Sequence, residues 1–235
     1  MFKLAENISA VRAEIHRAAQ AAGRSANTVM LLAVSKGQPV EAIAAAVAAG
    51  VCDFGENQVQ EALQKMAALS HECLRWHFIG PVQSNKTRAI AEHFDWLHSL
   101  DRLSIAERLA RQRPSGMAPL DVCLQVNIDR ESTKAGVEPD QLEALALGVV
   151  ALPSLRLRGL MAIPRPRAVG DQRQPFRELA SLLARLRATS PRFAGLDTLS
   201  MGMSADLDAA IAEGATIVRI GRAIFGPRPD PQPRR

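Results

Sequence analysis

The sequence predicts a single (β/α)8 TIM barrel with an extra N-terminal helix, and three observations carry that expectation. Eight apolar, strand-like runs alternate with helix-like stretches along the chain. At 235 residues and 25.4 kDa the length suits one such barrel. Polar residues gather where the apolar runs end, the side of a barrel on which its chemistry is built.

The elements follow in order. Leu4, Ile8, Val11 and Ile15 recur at four, three and four residues, an amphipathic helix over 2–20 that stops before Gly23. Met30 to Lys36 is an apolar run closed by Gly37 and Pro39, hence a strand, and Pro39 to Ala49 is a helix with Gly50 as its C-terminal cap. The pattern repeats as strand 51–56 with helix 58–69, strand 76–80 with helix 84–92, and strand 94–100 with helix 102–113. Strand 120–128 precedes a polar loop and helix 140–152, then come strand 155–163 with helix 175–188 and strand 198–202 with helix 205–213. The run 216–225 is the eighth strand, with no closing helix after it, so the N-terminal helix is expected to cover that wall. Strands alternating with helices call for parallel pairing through right-handed crossovers. One domain is expected over 1–226, with a flexible Pro/Arg-rich tail over 227–235.

Composition narrows the function classes. Lys and Arg total 29 against 24 acidic residues, a net charge of +5, yet no basic block or interleaved aromatic series marks a nucleic-acid surface. The three cysteines have no C-x-x-C spacing, which fits a reducing cytosol better than a disulfide or zinc framework. Lys3, Glu6, Arg12 and Glu14 interrupt the N-terminus, and no apolar stretch reaches membrane-spanning length. The expected location is the cytoplasm, without membrane or nucleic-acid partners. The five histidines lack metal-binding spacing, and hydrolase and phosphate-loop motifs are absent.

Several candidates stand at the strand ends. Lys36 closes Leu31-Leu32-Ala33-Val34, where desolvation and neighbouring cations would lower its pKa and supply the neutral amine that a Schiff base requires. The same position also suits a lysine that snorkels to water, and spacing alone leaves both open. Ser200-Met201-Gly202 and Gly221-Arg222 follow strands seven and eight, where loops cradle phosphates or simply turn. Asp206 and Asp208 already complement the helix that follows, so an anion should sit nearer Ser200 and Gly221. Alternation puts Arg219 on one face with Ile217 and Gly221; a buried arginine there needs a partner, either a ligand or an acid within the barrel.

These residues lie in motifs that closely resemble the pyridoxal phosphate homeostasis proteins, whose barrel is similar to the N-terminal domain of alanine racemase. The motifs are Ala33-Val34-Ser35-Lys36, Phe54-Gly55-Glu56-Asn57-Gln58-Val59-Gln60-Glu61, the run 76–86 from Trp76 to Lys86, and Gln125-Val126-Asn127-Ile128. Arg158 to Pro164, Leu199 to Ser204 and Val218 to Gly226 complete a match in order over nearly the whole chain. The resemblance implies a fold-type III cofactor barrel with Lys36 forming the internal aldimine of pyridoxal 5′-phosphate. It implies Arg219 beside the pyridine nitrogen, Ser200, Gly221 and Arg222 near the phosphate, Asn57 and His77 lining the pocket, and Lys134 near the entrance. Two departures stand out. Gly37-Gln38 replaces the usual Thr-Lys, which should loosen the loop beside Lys36, and Arg222 stands where many members have Thr.

An arginine at the ring nitrogen can only donate, leaving the nitrogen unprotonated and the electron sink weak. Alanine racemase has a tyrosine as its second acid/base, and this chain contains no tyrosine. The expectation is therefore a carrier that buffers or delivers the cofactor, with apoenzymes as recipients. A monomer is expected too, since the racemase's dimer-building second domain is not present. Two other readings remain on sequence alone. A Schiff-base aldolase of sugar phosphates would use Lys36 and be colourless, and a nucleic-acid binder would show salt-sensitive retention on polyanions.

Overall fold

Strands covered by helices on one face and by barrel filling on the other must be apolar on both. Trp96–Leu100 and Ile217–Ile220 are buried throughout, and depart from the rule only at His98, Ser99 and Arg219. The computed structural model describes residues 2–70, 72–131, 133–167 and 172–227. The strands are β1 (Met30–Val34), β2 (Asp53–Glu56), β3 (Arg75–Phe78), β4 (Trp96–Leu100), β5 (Leu120–Gln125), β6 (Leu155–Met161), β7 (Thr198–Ser200) and β8 (Ile217–Ile220). They pair in chain order, all parallel, and β8 returns to β1 with Ala33 opposite Ile220. The barrel is closed.

The helices are α1 (Phe2–Ala21), α2 (Val40–Ala48), α3 (Val59–Ala68), α4 (Thr87–His93), α5 (Leu103–Gln112), α6 (Leu142–Val150), α7 (Gln174–Thr189), α8 (Leu207–Ala212) and α9 (Arg222–Phe225). Their apolar stripes meet the outward strand residues in one continuous layer, where Phe54, Phe78, Leu97, Leu124 and Val218 face residues such as Ile43, Ala62, Ile90, Leu109 and Leu179. A second, smaller cluster fills the barrel itself: Leu32, Trp96, Cys123, Met161 and Ile217, with Met30 and Ile79 against it. Truncating one of these large side chains to alanine costs about 2–5 kcal/mol. Above that plug the inward positions turn polar.

The eight strands and the N-terminal helix match the sequence reading, and the differences lie at element ends. The apolar run 216–225 is not one strand. β8 stops at Ile220, and the backbone N–H groups of Ile224 and Phe225 donate back to Gly221 O at 3.0 and 2.9 Å, winding 222–225 into the one-turn α9. Hydrophobicity cannot separate a buried turn from a buried strand, which is why the run read as one element. A closing helix therefore exists, reduced to a single turn. α1 packs against α2, α8 and α9, and Asn7 Nδ2 donates to Ile224 O at 2.9 Å, so the N-terminal helix does cover that wall. β5 ends at Gln125, and Val126 makes an isolated bridge to Val137. Of the tail 227–235, only Pro227 lies among the described residues. No described helix is long and apolar enough to cross a membrane.

Candidate functional site

Parallel register gathers the sequence candidates at the carboxyl-terminal rim. Val34 pairs with Gly55 and Ala33 with Ile220, so the segments leaving β8, β1 and β2 emerge side by side with Gly221, Lys36 and Asn57. Lys36 and Asn57 are half-buried, and Arg222 is exposed at the start of α9. A Cβ on Gly221 would stand 3.1 Å from Val34 O. Only glycine leaves this seam between β8 and β1 open to close approach.

A buried ion cluster clamps the loop that carries Lys36. Lys65, on α3 and almost fully buried, places Nζ 2.7 Å from Glu56 Oε1, 2.6 Å from Glu61 Oε1 and 2.8 Å from Ser35 O. The Ser35 hydroxyl donates to Glu56 Oε1 at 2.6 Å, and Gly37 N–H donates to Glu61 Oε1 at 2.6 Å. Both neighbours of Lys36 are thereby tied to the same three charges. Gly37 adopts φ +72°, a conformation that favours glycine over threonine, and Gln38 N–H closes a turn onto Ser35 O at 3.0 Å. The backbone on both sides of Lys36 is hydrogen-bonded in place. Burial raises the Glu56 carboxyl above its ordinary range despite the bonds from Lys65 and Ser35, and Glu56 Oε2 has no hydrogen-bond partner.

Across the barrel, Arg219 points inward from β8 as alternation requires. Its Nη1 donates to Ser200 O at 2.6 Å and to Ser200 Oγ at 2.8 Å, and Nη2 donates to Ala162 O at 2.9 Å. Burial lowers its pKa to about 10, so the guanidinium stays charged at neutral pH. Among the described residues no carboxylate lies within ion-pair distance of it. A buried cation with spare donors and no counter-charge is costly unless a ligand acceptor completes it.

Two candidates are engaged by polar partners within the barrel. His77 is fully buried inside the barrel, with Nε2 3.1 Å from Asp53 Oδ1 and Nδ1 3.0 Å from His98 Nε2. Both ring nitrogens are consumed, so it presents none to a ligand. Ser200 is fully buried, and its hydroxyl engages His98 Nδ1 at 2.7 Å as well as Arg219, which puts it on the guanidinium side. Asp206 precedes α8 and accepts from Met203 N–H at 2.6 Å, with Asp208 in the first turn; both acids hold the places read from sequence. Asp53, Lys65 and His98 escaped sequence reasoning.

The rim over β5 and β6 has its own clasp. Asp129 accepts from Arg165 N–H at 2.6 Å and Arg167 Nη2 at 2.7 Å, with Lys134 Nζ 3.4 Å away. Lys134 also pairs with Glu131 at 2.7 Å and lines a cavity of about 200 Å³ with Gln125, Asn127 and Ile163. Ser132, its neighbour in the motif, lies outside the described residues.

A closed parallel barrel with an amine at the end of its first strand and a buried arginine on its last is a racemase-type barrel, and the family described as the alanine racemase N-terminal domain matches residues 7–229. The chain is 60% identical over 229 residues to a pyridoxal phosphate homeostasis protein of Pseudomonas aeruginosa, covering 97% of each. It is 50% identical to the protein of that name from Escherichia coli K12, covering 97% of this chain and 98% of that one. The chain belongs to the pyridoxal phosphate homeostasis protein family. Among solved structures, PipY of Synechococcus elongatus PCC7942 superposes with TM-scores of 0.85 without PLP and 0.84 with PLP bound, at 39% and 38% identity. Both cover 95% of this chain and all of PipY. Alanine racemase from Corynebacterium glutamicum shares the fold at 16% identity and TM-score 0.68, this chain covering 62% of it.

Proposed function

We propose that this chain binds pyridoxal 5′-phosphate in the rim of one barrel domain over 1–226, holds it through Lys36, and buffers or delivers it. The observation that carries the reading is Arg219, a buried donor with no carboxylate in ion-pair distance among the described residues. A pyridine nitrogen is the neutral acceptor such a group suits, and a dianionic phosphate nearby supplies the missing charge. The family name and the PLP-bound PipY structure support the same cofactor.

Each residue has a task in this reading. When bound, the cofactor supplies an electrophilic aldehyde carbon. Lys36, at the end of β1, would be the residue that holds the cofactor through its amine. The clamp of Lys65, Glu56 and Glu61 fixes the backbone on either side of Lys36. Gly221 opens the wall for the phosphate, Arg222 stands ready with charge, and Asn57 flanks Lys36 on the β2 side. Lys134 guards the β5–β6 edge. Ser200 serves the site by orienting Arg219, and His77 acts only through His98.

Arg219 cannot hand a proton to the ring nitrogen at neutral pH, and no tyrosine exists to serve as a second acid/base. The reading is therefore a cytoplasmic, monomeric carrier, with pyridoxal phosphate-dependent apoenzymes as recipients. Purified protein should be yellow and should reactivate such an apoenzyme without turning over amino acids. Steady racemisation by the pure protein, lost in Lys36→Ala, would replace the carrier reading with an enzymatic one.

A further inference from the structure

Three buried titratable groups, Asp53, His77 and His98, are left over by the site just described, and they connect to it. Asp53 is the first residue of β2, at the amino-terminal mouth of the barrel, where Arg75 Nη2 donates to Oδ2 at 2.7 Å. His77 Nε2 stands 3.1 Å from Asp53 Oδ1, His77 Nδ1 3.0 Å from His98 Nε2, and His98 Nδ1 2.7 Å from Ser200 Oγ. Ser200 is the last residue of β7, and its hydroxyl lies 2.8 Å from Arg219 Nη1. The chain crosses the barrel from one mouth to the other. Trp96 stacks on His77 at 5.4 Å with planes 10° apart and holds the ring edge-on to its partners.

Donor chemistry gives this chain one sense. A carboxylate only accepts and a guanidinium only donates, so neither end can reverse. Asp53 takes the proton of His77 Nε2, which leaves His77 Nδ1 as the acceptor for His98 Nε2–H. His98 Nδ1 then accepts the Ser200 hydroxyl hydrogen, and the Ser200 lone pairs face Arg219. Both imidazoles are thus neutral Nε2–H tautomers, assigned by elimination. A second proton on His77 would set its Nδ1–H against His98 Nε2–H, and one on His98 would turn the Ser200 hydroxyl from donor into acceptor and break the chain's order. Nor can the chain conduct protons, because its last member would have to surrender one from a guanidinium. Its capacity is to fix orientation.

We infer that His98 is a positioning residue for the cofactor ring: through the Ser200 hydroxyl it sets the guanidinium of Arg219, and His77 with Asp53 sets His98 in turn. This rests on the pyridoxal phosphate reading, since Arg219 is the donor being aimed. With Nη1 taken by Ser200 and one Nη2 hydrogen by Ala162 O, the guanidinium plane is fixed. Its Nε–H and remaining Nη2–H are left for a ring acceptor.

Two amide variants, each matching one nitrogen position of the imidazole, separate positioning from mere filling of the barrel. His98→Asn keeps an acceptor where Nδ1 sits, and His98→Gln keeps a donor only where Nε2 sits. Titration with pyridoxal 5′-phosphate, followed by absorbance, should give His98→Asn an affinity within about threefold of wild type and His98→Gln a loss of about tenfold. Thermal melting of the cofactor-free variants should not follow that order. Nitrogen-15 shifts of cofactor-free wild type should show both buried rings as Nε2–H tautomers. Asp53→Asn, at the mouth rather than in the packed interior, should weaken binding and mix those tautomers, which keeps the test open if a His98 variant fails to fold. Equal affinities for the Asn and Gln variants, unchanged binding in Asp53→Asn, or an Nδ1–H tautomer on either ring overturns the inference. Failure of wild type itself to bind pyridoxal 5′-phosphate overturns the cofactor reading instead, with the tautomer result unaffected.

Discussion

Lys65 and Ser35, thirty residues apart, meet where the Lys65 ammonium donates to the Ser35 carbonyl at 2.8 Å, behind the barrel wall and one residue before Lys36. An ammonium nearly sealed from water is held there by two carboxylates. Removing it strands the fully buried Glu56, and the half-buried Glu61, without their counter-charge. Lys65→Met should therefore cost about 3–5 kcal/mol of stability, read from the urea midpoint, and should also weaken retention of the cofactor. A loss under about 1 kcal/mol would mean the cluster does not clamp the loop.

Arg219 predicts a conflict between stability and binding. Its burial, with no carboxylate in ion-pair distance among the described residues, disfavours the cofactor-free fold, while its donors serve the ring. Arg219→Met should melt at or above the wild-type temperature without cofactor, and bind pyridoxal 5′-phosphate at least about tenfold more weakly. A variant that is both destabilised and unaltered in binding contradicts the assignment.

Acid should unfold the protein through its buried histidines. Burial holds His77 and, more strongly, His98 below the ordinary imidazole value, the Asp53 bond opposing this at His77. The unfolded chain takes up protons near pH 6.5 where the folded chain does not, so stability falls as pH drops below about 6.5, by up to about 1.4 kcal/mol per pH unit for each ring. Glu56 acts with the opposite sign, since its raised carboxyl favours the folded state as pH falls. Urea midpoints between pH 5 and 8 are therefore best compared between wild type and His98→Asn, which should have the shallower slope. Parallel slopes would argue against neutral, buried rings.

Asp129 joins the loops after β5 and β6. It is stabilised as a carboxylate, burial notwithstanding, by the Arg165 N–H, Arg167 and Lys134. Asp129→Ala should cost about 1–3 kcal/mol and speed amide exchange around 129–138 and 163–167. Exchange unchanged in both loops would show that the clasp holds neither.

Much of this was legible in the sequence because barrels convert local pattern into position. The apolar runs marked the strands, their ends marked the rim, and alternation through Ile217, Arg219 and Gly221 turned Arg219 inward. What could not be read depends on contacts between distant strands. His77 and His98 are 21 residues apart and His98 and Ser200 are 102 apart, so nothing local distinguishes them from ordinary strand residues. Lys65 reads as a solvent-facing helix position until α3 is laid on β1 and β2. The strand-to-turn change at Gly221 was hidden because both conformations bury the same apolar side chains.

The most direct test of the account is borohydride reduction of protein loaded with pyridoxal 5′-phosphate, followed by mass mapping. Hydride adds to the carbon of the C=N bond and leaves a stable secondary amine. The account predicts one modified site, Lys36, with the visible band lost on reduction and no adduct in Lys36→Ala. An adduct at Lys65, Lys86 or Lys134 in place of Lys36, or none from a yellow protein, would contradict it.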